Sequence, residues 1–86
     1  MYKVDLSTKA RKLYEKADQP LARKLARCFA QLEKDPRHHP NIKPLIGSLA
    51  GRYRYRVGDY RVIYRIDDRQ LAVAVLTIAH RSTAYE

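Results

Sequence analysis

Arg52-Tyr-Arg-Tyr-Arg-Val-Gly-Asp-Tyr-Arg61 decides the fold. Four arginines and three tyrosines fall within these ten residues. Gly58-Asp59 interrupts the alternating run, and glycine at the first position of a two-residue loop suits a type II′ hairpin turn. Taken literally, that turn pairs Val57 with Tyr60, Arg56 with Arg61, Tyr55 with Val62 and Arg54 with Ile63. Side chains alternate across a strand, so Arg54, Arg56 and Arg61 share one face. Tyr55, Val57, Tyr60 and Val62 share the other, where helices can cover them. Like charges directly opposite on a sheet destabilise it by a few tenths to ~1 kcal/mol, and no carboxylate follows the arginines onto their face. Guanidinium groups match phosphate in a bidentate fashion. The face therefore suits an anion, and a nucleic-acid backbone is the most economical one. Two plainer readings stand beside this: a basic surface that keeps the protein soluble, and an electrostatic dock for an acidic partner protein.

Outward from the hairpin, residues 52–57, 60–66 and 70–79 read as three strands, with Asp67-Asp68-Arg69 as the second turn. Leu71 to Ala79 carries no charge, which predicts a central strand covered on both faces. Residues 35–51, rich in proline and glycine, read as a connection, with Leu45, Ile46 and Leu49 pinned to the core. His38 and His39 lie in it without a cysteine or further histidine at ligand spacing, so a solvated loop is the reading and no metal site is expected. Upstream, Ala10, Leu13, Tyr14 and Ala17 mark a helix over about 8–17, with Ser7 as its cap. Asp18-Gln19-Pro20 stops and restarts the pattern, with Pro20 tolerated in a first helical turn. Leu21, Leu25, Cys28, Phe29 and Leu32 mark a second helix over about 19–34, ended by Pro36. Tyr2 to Leu6 alternates as a short strand. The order is β-α-α-β-β-β, an α/β (α+β) fold. A first strand beside the last gives a small mixed sheet with the helical hairpin on one face.

The 86 residues make one domain, 1–86, with 18 basic against 9 acidic side chains and a formal charge of +9. Such a balance favours polyanionic partners or an acidic protein, and carries no information about fold. At 45% hydrophobic, the chain is not composed like a disordered basic tail. Cys28 is the lone cysteine and falls in an apolar helical stripe, where a buried, inert thiol is the default. No stretch approaches the ~20 apolar residues of a membrane span, and the N-terminus lacks a secretory pattern. A cytoplasmic setting without membrane partners is the expectation.

The C-terminal stretch adds His80, Arg81 and Tyr85. Simple alternation from the last hairpin puts Arg81 on the face opposite Arg61. A bulge or bend near Thr77 to His80 is needed to bring it round.

These residues also carry a resemblance. The chain is similar to the RelE-type toxins of the RelE/ParE toxin–antitoxin superfamily over nearly its full length. The resemblance rests on Leu45-Ile-Gly-Ser-Leu-Ala-Gly51, on Tyr53-Arg-Tyr-Arg-Val-Gly-Asp-Tyr-Arg-Val-Ile-Tyr64, and on Ala79-His-Arg81 with Tyr85. It implies a microbial-ribonuclease-like domain that cuts messenger RNA in the ribosomal A site and is wrapped and silenced by a cognate antitoxin, as a toxin–antitoxin hetero-oligomer. It implies working roles for Arg54, Arg56, Arg61, Arg81 and Tyr85, with His80 beside the late arginine as a reserve acid or base. Arg52 extends the phosphate-binding row. No cofactor is implied. The expected reaction is metal-free attack of a 2′-hydroxyl on the adjacent phosphorus.

One departure from the family pattern matters. The basic pair on the second strand often includes lysine, whereas here both members, Arg54 and Arg56, are arginine, a poor general base near neutrality. Rival expectations on the same fold are a ParE-like inhibitor of DNA gyrase and a non-catalytic module that binds nucleic acid or antitoxin.

Overall fold

The computed structural model describes residues 1–82. Its elements run β1 (Lys3–Leu6), α1 (Thr8–Lys16), α2 (Gln19–Lys34), β2 (Ile42–Pro44), a 3-10 turn (Gly47–Leu49), β3 (Tyr53–Val57), β4 (Tyr60–Asp67) and β5 (Ala72–His80). They form one five-stranded sheet in the order β1-β5-β4-β3-β2. β1 lies parallel beside β5, and the remaining neighbours are antiparallel. The mixed sheet and its helical hairpin are those expected from the sequence.

Each helix starts where its cap lies. The Ser7 hydroxyl accepts the Ala10 amide at 3.0 Å, and the Asp18 carboxylate accepts the Leu21 amide at 3.0 Å. These bonds satisfy backbone donors that a helix N-terminus leaves without partners. The apolar stripes of α1 and α2 then lie on one face of the sheet. Ala10, Leu25, Cys28 and Leu32 pack there against Tyr55, Val57, Val62, Tyr64, Val73, Val75 and Ile78. Tyr64 is fully buried, and its hydroxyl donates to the Pro36 carbonyl at 2.6 Å. Burial pushes the Cys28 thiol well above its ordinary pKa, so the lone cysteine is the inert packing group its position predicts.

Three expectations fail here. Residues 35–51 are not wholly a connection, because Ile42–Pro44 adds an edge strand to β3. Ile42 is the core anchor of that segment, while Ile46 is 87% exposed. The second turn is longer than Asp67–Arg69: the Asp67 carboxylate accepts both the Arg69 and Gln70 amides, and Leu71 takes a left-handed φ of 50° before β5 begins. The uncharged strand β5 is central but covered on one face only. Its other face carries the small residues Ala72, Ala74, Thr77 and Ala79; of these, Thr77, paired with the buried Ile63, has its hydroxyl enclosed.

Outside the sheet, Arg37 makes a bidentate pair with Asp68 at 3.0 and 2.7 Å. The Tyr2 hydroxyl donates to the same carboxylate at 2.7 Å. This cluster ties the segment after α2 to the β4–β5 turn. It also holds the Asp68 carboxyl below the usual range, first through its bonds with Arg37.

Candidate nucleic-acid interface

The β3–β4 hairpin has the register that its turn dictates, with Arg56 opposite Arg61 and Arg54 opposite Ile63. Gly58 has a φ of 58°, and Leu71 is the non-glycine residue with positive φ, so Asp59 has a negative one and the type II′ reading holds. The Arg56 amide points away from β4 to the Asn41 carbonyl, 2.9 Å away. Arg56 and Arg61 are therefore a non-hydrogen-bonded pair, the closer of the two antiparallel arrangements, with Cα atoms about 4.5 Å apart. Both side chains leave neighbouring strands on the face away from the helices.

The arginines differ in how they are held. Arg61 folds over the hairpin tip, where Nη1 donates to the Tyr60 carbonyl at 3.1 Å and reaches the Gly58 carbonyl at 3.5 Å. Arg54 is half-buried and donates from Nη1 to the Asn41 carbonyl at 2.8 Å, so one arm is committed to the sheet edge. Arg56 is exposed. Arg52 precedes β3, and its carbonyl accepts the Leu45 amide at 2.9 Å. It lies four residues from Arg56, about 13 Å along the strand, so it is remote from Arg61. Among the described residues, the ion pairs are Lys3–Asp5, Arg37–Asp68 and His38–Asp35. None of Arg52, Arg54, Arg56, Arg61 and Arg81 is in that set.

A bulge precedes the late arginine. Tyr64 pairs with Val75 and Ile63 with Thr77, which leaves Leu76 as one extra residue on β5. Past that point Arg61 pairs with Ala79, and the Arg81 amide donates to the Asp59 carbonyl at 2.7 Å. Ala79 thus shares the face of Arg61, and the Arg81 backbone lies beside the hairpin tip in the turn that follows β5. The needed irregularity lies at Leu76, directly before the stretch where the sequence demanded it. Its carbonyl is not left bare: the Ser7 hydroxyl that caps α1 donates to it at 2.8 Å.

His80 goes the other way. It pairs with Tyr60, and the two rings meet edge-on with centroids 5.6 Å apart. That is the helix-side face, so the structure does not bring His80 onto the arginine face. Tyr85 lies outside the described residues. Two residues escaped the sequence reading. Lys43 pairs with Arg54 and adds a cation to the open face. Asn41 braces β3 by accepting from Arg54 and Arg56 and donating from Nδ2 to the Arg56 carbonyl at 3.1 Å. Alternation in Ile42-Lys-Pro was the available signal, and proline at an edge is compatible with it.

His38 and His39 stay in the loop. His38 pairs with Asp35 at 3.0 Å, and the His39 ring stacks on Tyr55 at 5.1 Å.

Comparison with known proteins agrees with this geometry. Residues 4–85 match the family model described as the ParE toxin of the type II toxin–antitoxin system, parDE. The chain is 36% identical over 85 residues to toxin RelG of Mycobacterium tuberculosis, an overlap covering 98% of this chain and 95% of the relative. Among solved structures, the toxin–antitoxin complex RelBE2 from Mycobacterium tuberculosis superimposes with a TM-score of 0.78 at 33% identity, over 93% of this chain and 98% of the other. The archaeal RelE–RelB complex from Pyrococcus horikoshii OT3 gives 0.81 at 26%, over 96% and 98%. The chain belongs to the RelE/ParE superfamily of toxins from type II toxin–antitoxin systems.

Proposed function

We propose that this toxin is an endoribonuclease that cleaves messenger RNA in the ribosomal A site and is neutralised by a cognate antitoxin. The observation that carries this reading is the abutting pair Arg56 and Arg61, on an open sheet face and outside every ion pair among the described residues. Like charges held together without a carboxylate await an anion.

In the proposed reaction the 2′-hydroxyl attacks the adjacent phosphorus and the 5′-oxygen leaves, giving a 2′,3′-cyclic phosphate. Negative charge grows on the non-bridging oxygens. Arg61, already braced against the hairpin tip, and Arg56 stabilise it, a contribution of a few kcal/mol per well-placed donor. Arg54 holds a flanking phosphate with its uncommitted nitrogens, and Arg52 a more distant one. Arg81 stabilises the leaving oxygen. Tyr85 orients or deprotonates the 2′-hydroxyl, or stacks on a base. His80, against Tyr60 on the helix-side face, stays outside the chemistry of the arginine face. The guanidinium groups supply the charge that a metal ion supplies in other nucleases.

A second reading has its own support. The matching family model is named for ParE, and the rival function on this fold is inhibition of DNA gyrase. Expression of the chain without its antitoxin, followed by primer extension on cellular messages, separates the two. Codon-phased cuts support the ribosome-dependent nuclease. Intact messages with stalled replication refute it in favour of gyrase.

A further inference from the structure

The hairpin tip has a second cationic side. A cleft of about 190 Å³ opens between α2 and the end of β3, bordered by Lys24, Arg27, Asn41, Arg56 and Gly58, with Tyr55 among its lining residues. Lys24 and Arg27 are one helical turn apart, so they present on the same face of α2. The Lys24 ammonium lies over Gly58, 4.0 Å from where a β-carbon would stand. No acidic side chain lines the cleft. Asp18 and Asp59 border the next hollow, beyond Lys24, and neither forms an ion pair with it. Asn41 is fixed by its bond to the Arg56 carbonyl. β2 pairs with β3 only as far as Tyr55, so the sheet edge ends here and the cleft is open from the side.

Arg56 joins the two surfaces at the strand edge, its side chain on the open face and its carbonyl held by Asn41. It faces Arg61 across the hairpin and also borders the cleft. Resting on the RNA-cleaving reading, we infer that the cleft is a second phosphate subsite, which takes the phosphodiester next to the scissile one as the single-stranded message turns round the β3 edge. Its volume is below the ~300–1,000 Å³ of pockets that enclose a drug-sized ligand. It therefore accepts a phosphate-sized group, with the sugar and base outside. Lys24 and Arg27 supply two charges from a helix that the arginine strands do not contain, so the subsite adds affinity and direction to the strand without touching the reacting atoms.

The test is the double variant Lys24→Ala/Arg27→Ala. Both side chains are exposed, and alanine is the best helix former, so the fold survives. Binding is measured against a single-stranded 2′-O-methyl oligoribonucleotide, which cannot be cleaved, across a salt series. Each phosphate contact on a single strand contributes about 0.7 to the salt slope, so losing the one phosphate of this subsite lowers the slope by about 0.7 and weakens binding about fivefold near 0.1 M salt. Lys9→Ala/Lys34→Ala removes the same charge elsewhere and should weaken binding far less. Equal losses in the two double variants overturn the subsite, as does an unchanged slope in the first. Failure of the unaltered protein to bind at low salt overturns it too. RNA affinity kept while antitoxin affinity falls overturns it in favour of a dock for an acidic protein. Because binding is read without cleavage, a chain that cuts no message in cells fails the nuclease reading separately.

Discussion

Ser7→Ala tests the link between the helix cap and the strand bulge. The Ser7 hydroxyl makes two bonds, accepting from the Ala10 amide at 3.0 Å and donating to the carbonyl of Leu76 at 2.8 Å. Removing a serine cap costs about 1 kcal/mol. Leaving the carbonyl of a half-buried bulge residue without that donor costs about 1 kcal/mol more. The sum, about 2 kcal/mol, corresponds to a fall of about 10 °C in Tm for a domain of this size. Asp18→Ala is the internal control, because Asp18 caps α2 through the Leu21 amide and makes no other side-chain bond among the described residues. It should lose about 1 kcal/mol. Ser7→Thr keeps both functions of the hydroxyl and should stay close to the unaltered protein. Urea denaturation ranks the three. Hydrogen exchange then reads the bulge itself: the Arg81 amide, bonded to the Asp59 carbonyl at 2.7 Å, should exchange faster in Ser7→Ala than in Asp18→Ala at matched stability. If Ser7→Ala is no more harmful than Asp18→Ala, and the Arg81 amide stays equally protected, the reasoning that ties the cap to the bulge is wrong.

On the proposed mechanism, Arg61→Ala should lower cleavage of ribosome-bound message by about 10²–10³-fold, as loss of a charge-stabilising donor does, with a far smaller change in ribosome affinity; equal losses in both count against a transition-state role. His80→Gln should leave the shape of the pH–rate profile unchanged, because His80 sits on the Tyr60 face; loss of an acid or alkaline limb would restore it as the titrating group. Tyr64→Phe should cost about 1–3 kcal/mol by urea denaturation, since it strips the buried donor from the Pro36 carbonyl; an unchanged midpoint would show that another donor replaces it. The folded Asp68 carboxyl is lowered by Arg37 and Tyr2, so its contribution is intact above the unfolded value of about 3.9 and is lost as pH falls through the lowered folded value. Asp68→Asn should therefore flatten the acid limb of the stability–pH profile, and an unaltered limb would assign the acid sensitivity to other carboxylates.

The hairpin register was legible because two signals agree in it. Gly58 fixes the turn, and period-2 alternation on both sides allows one pairing. The bulge at Leu76 has no such mark. An extra residue in the uncharged run Leu71 to Ala79 changes neither composition nor turn chemistry, so only the demand to place Arg81 pointed to it. The same run misled about burial. An absence of charge reads the same whether a strand is covered twice or lines its open face with alanine. β2 was missed because three residues ending in proline give too little pattern, and Leu45 and Ile46 competed with Ile42 as core anchors. The exposed Ile46 shows that an apolar residue in a loop is not yet a core residue. The Leu71 backbone was missed for a related reason: a left-handed φ at leucine, in place of the glycine that usually marks it, leaves nothing to see in the sequence.

Proximity is the logic that joins these features. Lys43 apart, the open face offers guanidinium groups among the described residues, which stay charged at any physiological pH and cannot take a proton from a 2′-hydroxyl. The histidine of this part of the chain, His80, stands on the other side of the sheet, against Tyr60. On the proposed mechanism, these arginines stabilise charge but do not create the nucleophile efficiently on their own. The proposed chemistry must then gain much of its rate from alignment, which can contribute about 7–11 kcal/mol when reacting atoms are held in line. A flexible single strand does not align itself against a flat sheet face. A ribosome that already holds the message in place does, and this is why the basic face and the ribosomal substrate belong to one proposal. The same reasoning explains why a toxin with unpaired arginines tolerates their repulsion: whatever anion binds there, message or acidic antitoxin, stabilises the folded chain by mass action.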